Sequence, residues 1–285
     1  MSPGGEANHW ERAILWLRSQ PDQIDIVRAG YYDDPLVVAA QRYERSEEWH
    51  AVRGLLPDSR GCRALEVGAG RGIVSYALAR EGFSVTALEP DGSEIVGAPA
   101  IRRLASEAHL PIEVVQEYSE QLPFPSNYFG LVFARAVLHH TRSLERACAE
   151  FFRVLKPGGR LIAIREHVIS RPQDLAAFLE AHPLHRLYGG ENALLLRDYL
   201  QAIRWAGFPR VRVLSPFENA INLAPSTPSS ILQELAERVS GGNHLVRRAL
   251  ATAFAIPGSW AVARTLLRMV DNRPGRLYSF IAMRP

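Results

Sequence analysis

Leu65-Glu66-Val67-Gly68-Ala69-Gly70-Arg71-Gly72 decides the fold. An apolar run, Arg63 to Val67, enters three glycines in five positions, and an apolar-periodic segment, Ile73 to Glu81, leaves them. The pattern predicts a buried strand, a sharp turn and a helix. Glycine there frees the backbone for the turn and removes the Cβ where a ligand approaches. Such turns mark nucleotide sites at the C-terminal edge of a parallel sheet. Ser84 to Leu88 predicts the second strand, and Glu89-Pro90 ends it 21 residues after Gly68. An acid in that place is positioned for the two hydroxyls of a ribose. The dinucleotide pattern wants its last glycine at position 73, which is Ile, so a pyrophosphate cradle is disfavoured.

Outward from this unit the alternation continues. A helix is predicted from about Ile95 to Ala108, and strands at Ile112 to Val115 and Leu131 to Ala134. An amphipathic helix follows from Ser143 to Leu155, then a turn at Lys156-Pro-Gly-Gly159 and a strand from Arg160 to Arg165. Residues 172 to 208 read as helical and Arg210 to Leu214 as strand. The expected fold is α/β: a doubly wound, Rossmann-like, mostly parallel sheet of seven strands. Four regions are expected: a helical N-terminal cap (1–58), the sheet core (59–215), a helical insertion (216–274) and a final core strand (275–285). The cap carries an apolar stripe at Trp10, Ile14, Leu15 and Leu17, and a second helix from about Pro35 to Leu56.

Composition narrows the classes. The 285 residues are 47% hydrophobic and 22% charged, which is ordinary for a globular chain and excludes disordered or collagen-like types. Lys156 is the one lysine among 33 basic residues, and 30 acids leave a net charge of +3 with no long charge block. A nucleic-acid partner is therefore not indicated. Cys62 and Cys148 fit no metal spacing and read as reduced thiols. The best apolar run, Ala249 to Ala263, is broken by Pro257-Gly258 and is too short to span a bilayer. The first residues lack the apolar stretch of a signal peptide, so a cytoplasmic location is expected.

With the glycine turn and Glu89, the chain carries Leu122-Pro123-Phe124, Leu138-His139-His140 and Leu155-Lys156-Pro157-Gly158-Gly159 in order. Over residues 60 to 214 it resembles the class I S-adenosylmethionine-dependent methyltransferases. The resemblance implies S-adenosyl-L-methionine as cofactor. It implies Glu66 near the methionine ammonium, Gly68, Ala69, Gly70 and Gly72 around the methionine and ribose, and Glu89-Pro90 at the ribose. Two positions depart from the family pattern. The usual Asp-Ala of the adenine loop is Tyr118-Ser119, leaving the Ser119 amide for the ring and Glu120 as another partner for the adenine amine. The usual Phe-Asp before strand four is Phe129-Gly130.

Candidate catalytic groups cluster after strands four and five. His139 or His140 is placed to act as general base, although such a pair also serves to shape the site. In Arg165-Glu166-His167, alternation allows either Glu166 alone or Arg165 with His167 to face a pocket. Arg135 is placed for the methionine carboxylate, or for an ion pair. Tyr31-Tyr32-Asp33 and Arg42-Tyr43 read as a lid or as core. His182, His185, Glu191 and Asn192 read as substrate contacts; no carboxylate or cysteine at ligand spacing joins the two histidines, so no metal is expected. The reading is methyl transfer to a small acceptor, oxygen before nitrogen, of an apolar or amphipathic metabolite or glycan. The insertion is expected to form a lid over the acceptor. The alternatives are a nicotinamide oxidoreductase and a non-methylating S-adenosylmethionine-binding protein.

Overall fold

The computed structural model describes residues 4–254, 256 and 258–285. The first three residues of the expected cap, and positions 255 and 257 in the insertion, lie outside the described residues. Eight strands form one sheet: β1 (Arg63–Val67), β2 (Ser84–Leu88), β3 (Ile112–Val115), β4 (Phe129–Arg135), β5 (Leu155–Ile169), β6 (Leu194–Leu195), β7 (Val211–Leu214) and β8 (Gly275–Met283). The order is β3-β2-β1-β4-β5-β8-β7, with β6 beside β5. The strands from β3 to β5 pair in parallel, and β8 runs antiparallel to both neighbours. The doubly wound fold is as expected; the eighth strand is the two-residue β6.

The strand order reverses between β1 and β4, whose parallel pairing sets Glu66 beside Phe133 and Val67 beside Ala134. Ligands of open α/β sheets bind outside the carboxyl ends of strands at such a point. Two cores cover the faces. One joins Tyr43, Trp49, Ala77, Leu104, Phe133 and Ile162; the other joins Leu65, Phe129, Phe151, Tyr199, Phe208 and Phe280. Tyr43 and Trp49 have no exposed surface, so the aromatic residues of the second cap helix are core.

Three local expectations change. The helix predicted from Pro35 to Leu56 is two, Leu36–Glu44 and Glu47–Arg53. Ser46 separates them because its hydroxyl accepts from the Trp49 amide and caps the second. Lys156 to Gly159 is not a free turn but the first part of β5. Leu155 pairs with Phe129, and the Gly158 amide donates to Arg284 at 2.8 Å. Beyond Ile164, β5 continues to Ile169 through an irregularity at Arg165, whose φ is +59°.

Residues 174–205 carry helices Asp174–Ala181, His185–Tyr188 and Leu196–Trp205. Between β7 and β8 the insertion contains Ala220–Leu223, Pro228–Ser240, His244–Phe254 and Ser259–Val270. Among the described residues, no single helix is long and apolar enough to cross a membrane.

Candidate functional site

The glycine turn is built from local hydrogen bonds. Ala69 donates to the Leu88 carbonyl at 3.0 Å, and Gly72 to that of Ala69 at 2.8 Å. Gly68, Gly70 and Gly72 all have positive φ, at 61°, 53° and 80°. A Cβ on Gly68 would stand 2.7 Å from a Val137 methyl, and one on Gly72 2.9 Å from Ile101. At Gly70 a Cβ would meet nothing within 4 Å. The turn therefore lies tight against the protein at its two ends and open at its middle.

Glu89 closes the other side. Its carboxylate accepts from the Gly70 amide at 2.6 Å and the Asp91 amide at 2.9 Å. Burial raises its pKa to about 7, against the lowering by those two amides. Glu66 at the end of β1 accepts from the Ser75 hydroxyl, and burial raises it to about 8. Two carboxyls and an open glycine backbone suit a ligand bearing an ammonium group and ribose hydroxyls.

Glu66, Gly68, Gly70 and Glu89 line a cavity of about 690 Å³, within the usual range for small-molecule sites. Of the sequence-derived candidates, it gathers Glu66, Gly68, Ala69, Gly70, Glu89, Pro90, Tyr118, Ser119, Arg135, His139, His140 and His167. Three take other parts. Gly72 packs against Ile101 as the N-cap of the helix Ile73–Arg80 and does not line the cavity. Glu166 has no exposed surface and lies behind the wall. Arg135 lines the cavity, but its guanidinium is committed to Glu48, with Nε 2.6 Å and Nη2 3.0 Å from the carboxylate. Glu120 accepts from the Arg142 and Ser143 amides at 2.7 and 3.3 Å, and Tyr118 carries the Arg142 guanidinium 4.2 Å over its ring.

The strand irregularity decides the histidine wall. The irregularity between Ala163 and Glu166, with Arg165 at positive φ, resets the phase of β5 beyond it, and both Glu166 and His167 meet His139. Glu166 accepts from His139 Nδ1 at 2.7 Å, from the His139 amide at 3.3 Å and from the Val137 amide at 3.1 Å. The His167 ring lies 4.7 Å from that of His139, and the His140 ring 4.2 Å. Arg165 points elsewhere, donating to the carbonyls of Ile221 and Ala224 at 2.9 and 2.7 Å.

Electrostatics divides the imidazoles. Burial opposes the charged form of His139, but Glu166 and Glu191 outweigh it and raise the pKa to about 9. His140 is 37% exposed on the cavity side, yet its depth, with charged His139 beside it, lowers it to about 4. His167 is lowered by burial and by His139. With no ion bound, the two carboxylates favour the cationic form of His139, while burial favours the neutral forms of His140 and His167.

The far walls come from segments distant in sequence. Trp10, Gly30, Tyr31, Tyr32, His182, Leu184, Tyr188 and Glu191 line the cavity; among the described residues, none from 216–274 does. The expected lid position of the insertion is thus taken by the cap and the 182–191 connection. Trp10 packs on Tyr32 and Tyr188, with ring centres 5.5 and 4.5 Å apart. Arg71 ties the cap to the glycine turn, donating to the carbonyls of Tyr31 and Asp33 at 2.8 and 2.9 Å. Its place inside the glycine turn signals it; Trp10 reads in the sequence only as part of an apolar stripe, and nothing there singles out Tyr188.

Residues 65–163 match the family model described as a methyltransferase domain. The chain is 30% identical over 176 residues to a ubiquinone/menaquinone biosynthesis C-methyltransferase of Rhizobium meliloti, covering 54% of this chain and 67% of the relative. It is 29% identical to the 27-O-demethylrifamycin SV methyltransferase of Amycolatopsis mediterranei, covering 62% of this chain and 64% of the relative. It is 36% identical to an S-adenosyl-L-methionine-dependent Diels-Alderase of Talaromyces variabilis, covering 40% of this chain and 39% of the relative. The chain spans about half the length of most curated relatives it matches.

Proposed function

Because this chain belongs to the class I S-adenosylmethionine-dependent methyltransferases, with S-adenosyl-L-methionine as cofactor, we propose that it methylates a small molecule held against the histidine wall. One observation carries the reading: the carboxyl-and-glycine cradle and the imidazoles of His139, His140 and His167 share one cavity. The bound cofactor supplies an electrophilic methyl group. The residues proposed to hold it are Glu66, Gly68, Ala69, Gly70, Glu89, Pro90, Tyr118 and Ser119, Glu89 at the ribose and Glu66 toward the ammonium. Arg135 keeps the wall in place through Glu48.

The chain's part in transfer is mainly alignment and exclusion of water. Trp10, Tyr32 and Tyr188 give the acceptor side an aromatic wall, which favours an apolar or amphipathic metabolite. His140, neutral and open to the cavity, is the group proposed to take a proton from an acceptor hydroxyl, so oxygen is preferred to nitrogen. His139, held by Glu166, orients the wall. The rifamycin O-methyltransferase relative supports an oxygen acceptor in a small molecule.

A second reading is a non-methylating reaction beside bound cofactor, favoured by the Diels-Alderase relative. The test incubates the protein with methyl-tritiated S-adenosylmethionine and a small-molecule extract. Label entering a small molecule, and lost in Glu89→Ala, supports methyl transfer. Tight binding of S-adenosylhomocysteine with no label transferred overturns it in favour of the second reading.

A further inference from the structure

We propose that His139, His167 and Glu191, brought together from the turn after β4, from β5 and from the segment before β6, bind a divalent first-row transition-metal ion. One ligand atom from each lies within 4.8 Å of the others. Two imidazoles and a carboxylate with open positions form the ligand set of several catalytic zinc and non-haem iron sites.

The orientation of His139 supports this. Its Nδ1 is held by Glu166 at 2.7 Å, which leaves Nε2 as the nitrogen directed at Glu191. Nε2 stands 3.7 Å from Glu191 Oε2, beyond hydrogen-bond range. Two ligands on one tetrahedral zinc ion, with bonds near 2.0–2.1 Å, are roughly 3.3 Å apart, so a small inward shift would accommodate the ion. A carboxylate behind a ligating histidine is the usual support of such a site. Glu191 has a support of its own, since the Tyr188 hydroxyl donates to its other oxygen at 2.7 Å.

Further nitrogen donors stand close by. His140 Nε2 is also 3.7 Å from Glu191 Oε2. The His182 ring lies 5.2 Å from that of His167, and its buried Nδ1 has no hydrogen-bond partner. Along the chain, His182, His185 and Glu191 lie on one connection that completes no ligand set; the set forms only when the turn after β4 and β5 supply the other imidazoles. All three ligands line the cavity that holds the cradle. The open positions of the ion would therefore take an oxygen of the acceptor, a role that rests on the methyl-transfer reading, whereas binding of the ion does not.

The competing arrangement is a protonated His139 between two carboxylates, which binds no metal. Untagged protein, stripped with a chelator, is titrated with Co²⁺ and Zn²⁺ by calorimetry, and Co²⁺ is followed by visible absorption. The proposal expects one ion per chain, loss of that stoichiometric binding in His167→Ala and in Glu191→Gln, and weakening of ~10–100-fold in Glu166→Gln. Affinity for S-adenosylhomocysteine, measured on the same samples, should persist in the cavity-wall variants His167→Ala and Glu191→Gln. Absence of one-per-chain binding, or its survival in both of those variants, overturns the site. Since cofactor binding is read separately, failure here leaves the methyl-transfer reading intact.

Discussion

Nδ1 of His139 lies 2.7 Å from Oε2 of Glu166, and this pair joins the turn after β4 to the irregular middle of β5. The same carboxylate receives the amides of Val137 and His139, so one side chain satisfies three donors in a buried place. Glu166→Ala would strand all three. At ~1–3 kcal/mol for each buried unsatisfied group, a loss of several kcal/mol is expected. Urea unfolding measures it; a loss under ~1 kcal/mol would mean the donors find other partners.

Glu48, whose side chain has no exposed surface, holds Arg135 at 2.6 Å and Arg165 at 3.7 Å, and so fastens the cap to the end of β4 and the irregular middle of β5. Burial works against its charge, but the two guanidinium groups hold its pKa below the usual value. Removing one partner of a buried pair costs ~3–5 kcal/mol, and Glu48→Ala should fall in that range. An unchanged urea midpoint would contradict it.

Glu89→Ala should weaken binding of S-adenosylhomocysteine. Two charge-assisted hydrogen bonds to ribose hydroxyls, at ~1.5–3 kcal/mol each, set a loss of more than about a hundredfold. Calorimetry of the parent and variant checks this; an equal affinity would remove Glu89 from the ribose.

The two cradle carboxyls predict a pH dependence. A carboxyl raised on folding contributes stability that is complete below its unfolded value near 4.5 and is lost as pH rises through its folded value. With Glu89 at about 7 and Glu66 at about 8, the ligand-free protein should melt lower at pH 8.5 than at pH 5.5. The proposed roles of Glu66 and Glu89 need ionised carboxyls, so affinity for S-adenosylhomocysteine should rise from pH 6 to 8.5, by up to about tenfold per pH unit for each proton released. A flat affinity profile would show that binding leaves both groups as they are.

Gly68 and Gly70 should respond differently to alanine. Both pay ~1–2 kcal/mol for a left-handed backbone. Gly68→Ala also drives a Cβ to 2.7 Å from Val137, whereas Gly70→Ala meets nothing. Gly68→Ala should therefore lose clearly more stability in urea; equal losses would show that Val137 moves aside without cost.

Residues 63 to 89 needed only near neighbours to be read. Strand period, glycine turn and the acid after β2 are local features, so the sequence alone determined the sheet edge, the glycine turn and the carboxyl that faces it. Spacing along the chain also placed β3, β4 and the order of the landmarks. What lies across the cavity was settled by packing. Trp10, Tyr32, Tyr188 and Glu191 reach the site through contacts between segments far apart along the chain, which no periodicity records. Arg135 reads as a cofactor ligand until Glu48 is seen against it, and Glu166 reads as a catalytic carboxylate until His139 is seen in front of it. The positive φ at Arg165 lies where β5 shifts register against β8, and it resets the phase of Glu166 and His167 relative to the strand before them. A short stretch of chain dictates its own backbone, but which side chain answers a buried charge is decided only when distant strands and helices compete for the same space.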